Sequence, residues 1–160
     1  MKRIWAFWRM KYIATNTKEA GCVFCNALAK NDTAENLIVM RGEHAFVILN
    51  KFPYTSGHVM VASMSHTATL EELDAAARAE MMELSTQCMS ILRKVYNPQA
   101  FNLGANIGEA AGAGVPGHVH LHIVPRWNGD TNFMSTVGEL RVLPEDLTET
   151  YRRVKDAWEK

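Results

Sequence analysis

Residues 117–127 read GHVHLHIVPRW, and no other stretch of the chain is as informative. Side chains of a β-strand point to opposite faces in turn, so His118, His120 and His122 share one face and the aliphatic residues between them share the other. Neighbouring rings on that face lie roughly 7 Å apart. Imidazole carries protons near neutral pH, acts as a nucleophile and binds metals. The stretch therefore predicts a strand bearing a site for a charged substrate, a metal ion or both, with a merely histidine-rich surface strand as the alternative.

The segments around this strand predict an antiparallel sheet. Runs rich in aliphatic and β-branched residues are bounded by turn residues and by the loop 51–57, which contains Pro and Gly. Most links between these runs are short, which favours an α+β fold over alternating βαβ units. Besides the histidine strand, the predicted strands are 36–41, 45–50, 58–62 and 99–106.

One long helix is predicted before the fourth of these strands. Thr69 and Glu72 form a capping-box pair at its start, and Asn97-Pro98 ends it. Its apolar residues recur at steady three- and four-residue spacing, which predicts a face buried against the sheet, with a dimer interface as the alternative. These residues are Leu70, Leu73, Ala77, Met81, Leu84, Cys88, Ile91 and Val95.

Two shorter helices complete the expected elements. The segment 18–30 predicts a short helix that carries two cysteines. Residues 144–146 (PED) resemble the first turn of a closing helix, because proline and acidic residues are favoured there.

Length and composition limit the function classes. The chain has 160 residues, of which 48% are hydrophobic, and this fits a single domain spanning 1–160. Its 17 basic and 17 acidic residues cancel, so nucleic acid is not the expected partner. No apolar run approaches the roughly 20 residues of a membrane span, and residues 1–12 make a poor secretory signal. Three cysteines form an odd set, which favours a reducing, cytoplasmic location.

Residues 118–124 follow the pattern His-φ-His-φ-His-φ-φ, where φ is apolar, without departure. This pattern resembles the signature of the histidine triad (HIT) family of nucleotide hydrolases and transferases. Residues 45–50 followed by 57–61 are similar to the nucleoside-binding hairpin of that family. The resemblance covers about 22–130, flanked by N- and C-terminal extensions. It implies an α+β, HIT-like fold: an antiparallel five-stranded sheet with one long helix and a C-terminal helix.

Two further stretches resemble one branch of the family. Residues 8–12 (WRMKY) and 125–133 (PRWNGDTNF) are similar to those of diadenosine polyphosphate hydrolases and phosphorylases. The resemblance implies an enzyme that cleaves a nucleotide phosphoanhydride such as that of Ap4A. Water as second acceptor gives a hydrolase, phosphate a phosphorylase and a sugar phosphate a transferase. The alternatives are a nucleoside phosphoramidase and a non-catalytic nucleotide-binding or zinc-dependent binding protein.

The resemblance also assigns roles to single residues. His120 is implied to be the nucleophile that forms a covalent nucleotidyl-histidine, and His122 to donate to a phosphate oxygen or the leaving group. Asn50 is implied to hydrogen-bond the ribose. His44 and His58 are placed outside the site, His44 at a surface hairpin and His58 in a structural turn.

The loop 108–116 is rich in glycine and alanine and directly precedes the triad. Its backbone N–H groups, those of Gly112, Ala113 and Gly114 above all, are expected to approach phosphate oxygens, because glycine lacks a Cβ. The loop offers no side-chain donor at Ala113 and Gly114, so Asn106 is the expected polar contact.

Cys22 and Cys25, two residues apart within a CxxC motif, are compatible with one tetrahedral zinc ion. A redox role lacks the βαβ context, and buried thiols are the remaining alternative. The resemblance implies that His66 and His118 complete a structural zinc site, which would hold His118 in place. It further implies a homodimer with the long helix at or near the contact.

Overall fold

The computed structural model describes residues 21–131 and 143–160. Residues 8–12 and the end of 125–133, quoted above for the branch resemblance, lie outside these ranges. Within them, no helix is long and apolar enough to cross a membrane.

The described elements begin and end with a helix, and the long helix separates three consecutive strands from two more. Strands β1, β2 and β3 form consecutive antiparallel pairs, and β5 lies between β3 and β4, so the described sheet has the order β1-β2-β3-β5-β4. This confirms the predicted α+β fold with a five-stranded antiparallel sheet. The elements are α1 (Val23–Leu28), β1 (Ile38–Arg41), β2 (Ala45–Leu49), β3 (Val59–Ser63), α2 (Ala75–Tyr96), β4 (Ala100–Gly104), β5 (His120–Arg126) and α3 (Leu147–Trp158), with a 3-10 turn at Glu109–Ala111.

The long helix α2 begins later than the capping-box pair predicts. Its N-cap is Asp74, whose carboxylate accepts a 2.7 Å hydrogen bond from the amide of Ala77. Asp74 has extended backbone angles, and its side chain satisfies an amide that the first turn leaves without a partner, so the helix starts here. The prediction that Thr69 and Glu72 form a capping box at the start of this helix is therefore wrong. At the other end Asn97 adopts the left-handed conformation that closes helices.

Helix α2 covers the face of the sheet opposite the histidines. Its apolar face is buried, together with Val119, Leu121 and Ile123, which alternate with the triad. The interpretation of the stripe as a core face is thus confirmed. Helix α3, capped by Asp146, packs on α2 and β1 through Tyr151 and Val154. The sequence periodicity therefore leaves the opposite face of β5 for the site.

Candidate active site

The histidines lie in and just before β5, on the face that α2 does not cover. A cavity of about 570 Å³ opens beside them. Apolar side chains of β2 and β3 form part of its wall, among them Ile48 and Met60. Of the catalytic and nucleotide-binding residues expected from the sequence, all except Ala113 border it. The expected catalytic residues at its border are His120 and His122, and the expected nucleotide-binding residues there are Asn50, Asn106, Gly112 and Gly114.

Hydrogen bonding assigns the protons of His120. Its Nδ1 lies 2.8 Å from the backbone carbonyl of His118, and a carbonyl can only accept. Nδ1 therefore carries the hydrogen. In the neutral ring, Nε2 then carries the lone pair. The buried ring borders the cavity with one nucleophilic nitrogen.

The protons of His122 follow from a chain of two further bonds. The amide of Tyr54 donates to Nδ1 of His58 at 3.1 Å, so the hydrogen of His58 lies on Nε2. Nε2 of His58 lies 2.9 Å from Nδ1 of His122 and donates to it. His122 accordingly carries its hydrogen on Nε2. The two triad rings at the cavity have opposite Nε2 roles, with a lone pair on His120 and a donor on His122.

His58 corrects the sequence interpretation, which placed it outside the site. The side chain is 1% exposed and contacts His122 directly. The strand register could have revealed this, because Met60 pairs with His122 and residue 58 points to the same face as residue 60. His44 lies at the hairpin between β1 and β2, away from the triad, as predicted.

The first triad histidine faces a different group of residues. Nε2 of His118 lies 2.8 Å from the carbonyl of Ser63 and donates to it, so Nδ1 carries the lone pair. Nδ1 lies 3.3 Å from Sγ of Cys22 and 3.7 Å from Sγ of Cys25, and Nδ1 of His66 lies 3.3 Å from Sγ of Cys25. Ligands of a tetrahedral zinc ion are about 3.5 Å apart for the usual Zn–S and Zn–N bond lengths. The four residues could therefore hold one metal ion, and all four ligand atoms lie within 4.8 Å of one another.

Comparison with known proteins assigns the chain to a family. A family model described as "HIT domain" matches residues 31–129, which is more than half of the chain. The chain belongs to the HIT domain family. The predicted resemblance is confirmed, and so is the prediction that the chain is an enzyme of this nucleotide hydrolase and transferase class.

Individual relatives also support the assignment of this protein to the HIT domain family. It is 32% identical to an AP-4-A phosphorylase of Mycobacterium tuberculosis over 99% of this chain and 85% of the relative. A zinc-bound histidine triad family protein of Mycobacterium smegmatis is 29% identical, with a TM-score of 0.69 over 87% of this chain and 94% of that structure. A diadenosine triphosphate hydrolase of Plasmodium falciparum shares the fold, with a TM-score of 0.63 and 20% sequence identity. The match covers 81% of this chain and 79% of that structure.

Burial keeps the triad of this HIT domain neutral. It lowers the pKa of His118 and His120 from the ordinary value of 6.5. Burial and the neighbouring His120 lower the pKa of His122 to about 4. Removing water penalises the charged form, and an uncharged His120 is what nucleophilic attack requires.

The rings of His120 and His122 are closer than strand spacing predicts. Their centroids are 4.9 Å apart and their planes cross at 68°, against the roughly 7 Å expected from the backbone. Side chains on a strand lean along it, so the two rings tilt toward each other. One phosphate group can therefore face both rings at once, with its phosphorus toward the lone pair of His120 and one of its oxygens toward the N–H of His122.

The glycine-rich loop uses part of its backbone internally. The amide of Gly112 donates to the carbonyl of Glu109 at 2.9 Å, and the amide of Ala113 donates to the carbonyl of Gly108 at 3.3 Å. Gly108 and Gly112 both have φ near 80°, a conformation that favours glycine. In this conformation Gly112 and Ala113 shape the turn, and this leaves Asn106 and Gly114 as the expected phosphate contacts that border the cavity and have no such bond within the turn.

Proposed function

We propose that this HIT domain protein cleaves the phosphoanhydride of a diadenosine polyphosphate such as Ap4A through a covalent nucleotidyl-histidine on His120. The observation that carries the proposal is the opposite protonation of His120 Nε2 and His122 Nε2 beside one cavity. Nucleophilic catalysis needs both groups in place, a lone pair for attack and a donor for the departing oxygen.

The reaction runs in two displacements. In the first, Nε2 of His120 forms a bond to the α-phosphorus, and the bond from that phosphorus to the bridging oxygen breaks. The N–H of His122 donates a hydrogen bond to the departing oxygen, which leaves as a terminal phosphate oxyanion, so the ring of His122 stays neutral. In the second, an anionic oxygen of the acceptor phosphate forms a bond to the same phosphorus, and the bond to Nε2 of His120 breaks and returns the lone pair to that ring.

The cavity supplies the nucleotide contacts. Its apolar wall suits a base, and Asn50 lies at its border, held by the amide of Phe52, which donates to Oδ1 at 2.9 Å. We assign Asn50 to the ribose and Asn106 with Gly114 to the phosphates, with Gly112 and Ala113 shaping the loop. The likeness to an AP-4-A phosphorylase over nearly the whole chain supports phosphate as the second acceptor.

A mass-spectrometry experiment tests the chemistry. The protein is quenched with alkali, in which a nucleotidyl-histidine is stable, during turnover of Ap4A, with and without phosphate, and in parallel with AMP-lysine. A mass gain of one AMP on the peptide containing His120 is expected from Ap4A, and ADP as a product only when phosphate is present. Faster turnover of AMP-lysine than of Ap4A would indicate a phosphoramidase instead.

A variant separates catalysis from mere binding. His120→Asn keeps a polar ring-sized group but removes the nucleophile, so turnover should fall by several orders of magnitude while AMP binding, measured by calorimetry, persists. His44→Asn is the matched control at a surface histidine and should keep wild-type turnover. Unchanged product formation by His120→Asn would refute the covalent route.

We further propose zinc as the ion of the Cys22, Cys25, His66 and His118 group. Two thiolates and two imidazoles form a donor set typical of structural zinc, and their spacing fits a tetrahedral ion. Zinc there would cross-link α1 to the segment before β5 and fix the ring of His118. A reduced dithiol also fits the proposed cytoplasmic location.

A homodimer is the remaining proposal. The buried stripe of α2 faces the sheet and is therefore not the contact. Strand β4 lies at the end of the described sheet, and four of its five residues are exposed, which leaves a backbone edge that a second copy could pair with. Light scattering of the purified protein should give twice the chain mass of 17.9 kDa.

A further inference from the structure

A second cavity, of about 290 Å³, adjoins the first one beside His122. The two cavities share three bordering residues, Tyr54, Asn106 and His122. Strands β4 and β5 form its floor on the triad face, where Gly104 pairs with His122. The donor that we assign to the departing oxygen therefore borders both cavities, and the second one lies where a leaving group can go.

Gly104 keeps this cavity open. A Cβ added at Gly104 would meet no atom of the described chain within 4 Å. Glycine is disfavoured in strands, and where it occurs it often marks the close approach of a ligand or of another backbone. Gly104 ends β4 directly opposite His122, so a larger side chain here would occupy the space beside the proton donor.

The wall of the second cavity is polar but nearly neutral. Arg126 borders this cavity. Its guanidinium donates two hydrogen bonds to the carboxylate of Asp130, from Nε to Oδ2 at 2.6 Å and from NH2 to Oδ1 at 2.7 Å. NH1 donates to Oδ1 of Asn102 at 2.7 Å, which turns the Nδ2 end of that amide away from Arg126. The charge of Arg126 is therefore matched by Asp130, and the cavity favours a neutral group over another phosphate.

The aromatic border of the cavity suits a base. Tyr54 is 47% exposed, and its ring lies nearly parallel to that of His122, at 20° with centroids 6.1 Å apart. Aromatic rings accept bases by stacking, whatever the base. A volume of about 290 Å³ is at the lower limit of ligand pockets, which is enough for one small group and not for a whole dinucleotide.

We propose that this second cavity holds the nucleoside of the departing half of a dinucleoside polyphosphate. The inference rests on the proposed cleavage at His120 and adds a source of selectivity: substrates with nucleosides at both ends are favoured over mononucleotides with the same phosphate chain.

The test compares two substrates that differ only in the second nucleoside, Ap4A and adenosine 5′-tetraphosphate. Wild-type kcat/KM should be about 10-fold higher for Ap4A, the effect of one stacked base. Gly104→Leu fills the cavity and should lower kcat/KM for Ap4A about 10-fold while leaving that for adenosine tetraphosphate within twofold. Asn102→Asp keeps the acceptor for Arg126 but replaces the amide with a charge, and should reduce the same preference.

Ala100→Leu is the matched control, because it adds the same side chain on an exposed position of the same strand face. It should keep the wild-type preference, and light scattering should give all variants the same mass. Equal wild-type kcat/KM for the two substrates, or an equal loss of both in Gly104→Leu, would overturn the second-cavity assignment while leaving cleavage at His120 intact. Cleavage of neither substrate would overturn the proposed function itself.

Discussion

His118 and His120 are joined by a hydrogen bond in which Nδ1 of His120 donates to the backbone carbonyl of His118 at 2.8 Å. The ring of His118 faces Cys22 and Cys25 at the same time. One residue therefore links the candidate metal centre to the proposed nucleophile, with its side chain on one side and its backbone on the other. A metal ion held there would act on catalysis by positioning His120 and would take no part in the chemistry.

Loss of the metal should lower stability first and activity second. Cys22→Ser removes a thiolate ligand, so we expect the zinc content, measured by atomic emission, to fall from one ion per chain to near zero. A metal ion that binds only the folded chain stabilises it by about 2.7 kcal/mol when the free metal concentration is about 100 times its Kd. The Cys22→Ser variant should lose this part of the free energy of unfolding. The kcat should fall as well, because the carbonyl that orients His120 is less well held.

Ala29→Ser is the control, since residue 29 lies at the end of the same helix and is exposed. It should keep its metal and its melting temperature. A Cys22→Ser protein that binds zinc and melts like the wild type would show that the four residues are not a metal site.

Replacement of His58 should weaken the hydrogen bond from His122 to the departing oxygen without affecting nucleotide binding. His58→Phe keeps an aromatic ring of similar size but removes the donor that holds Nδ1 of His122. The hydrogen of His122 is then no longer fixed on Nε2, so kcat for Ap4A should fall by about 10- to 100-fold, the effect of one hydrogen bond to a charged oxygen, with little change in KM. His44→Asn should leave both constants unchanged.

A better leaving group distinguishes this role from a structural one. AMP fluoride releases fluoride, which is a weaker base than the departing phosphate oxygen of Ap4A and leaves without help from a donor, so its cleavage by His58→Phe should remain close to wild type. An equal loss with both substrates would mean that His58 only supports packing.

The antiparallel sheet and the position of the triad were predictable because they depend on local pattern. Alternation fixes which face His118, His120 and His122 share, and the short links fix an antiparallel sheet. Long-range contacts were less accessible: the contact of His58 with His122 depends on the pairing of β3 with β5 across more than sixty positions. The proton positions follow from carbonyl and amide partners that no sequence pattern displays.

Local signals also compete with one another. The pair Thr69 and Glu72 satisfies the capping-box rule, yet Asp74 caps the helix, because a capping side chain five residues later serves equally well and Leu73 is needed in the core. The loop amides of Gly112 and Ala113 are expected to face a phosphate from composition alone, but the left-handed glycines fold the turn back so that these amides bond within it. Glycine marks where a loop can bend and does not tell where its amides point.

Acid should destabilise the fold through His122. The pKa of this ring falls from 6.5 to about 4 on burial. Between these values the unfolded chain binds a proton that the folded chain does not, so the free energy of unfolding decreases as the pH falls from 6.5 to 4 and is constant above that range. A single such group contributes at most about 1.4 kcal/mol per pH unit.

Urea unfolding at pH 7.0 and pH 5.0 measures this contribution. His122→Asn removes it, so the variant should lose about 2 kcal/mol less stability than the wild type between the two pH values. His44→Asn, which alters a histidine at the surface hairpin, should show the wild-type difference. Parallel losses in all three proteins would rule out His122 as the titrating group.

Glu80 of α2 clamps the hairpin between β1 and β2, and its removal should destabilise the whole sheet edge. Its carboxylate accepts from the amides of Glu43 and Ala45, both at 2.9 Å, and from that of His44. Burial raises its pKa, but the three amides outweigh burial and lower it below the ordinary value. Gly42 has no room for a side chain beside this carboxylate, which makes the clamp part of the turn.

Glu80→Gln replaces one carboxylate oxygen with a donor that faces amides, which are donors themselves, and should reduce the free energy of unfolding by about 1–3 kcal/mol. Glu83→Gln on the exposed side of the same helix is the matched control and should change it by less than about 0.5 kcal/mol. Both values come from urea unfolding above pH 6.5, where the triad is neutral in the folded chain. Because none of the clamp residues borders the cavity beside His120, Glu80→Gln should keep wild-type kcat at temperatures where it is folded, and a loss of kcat there would show that the hairpin also positions the site.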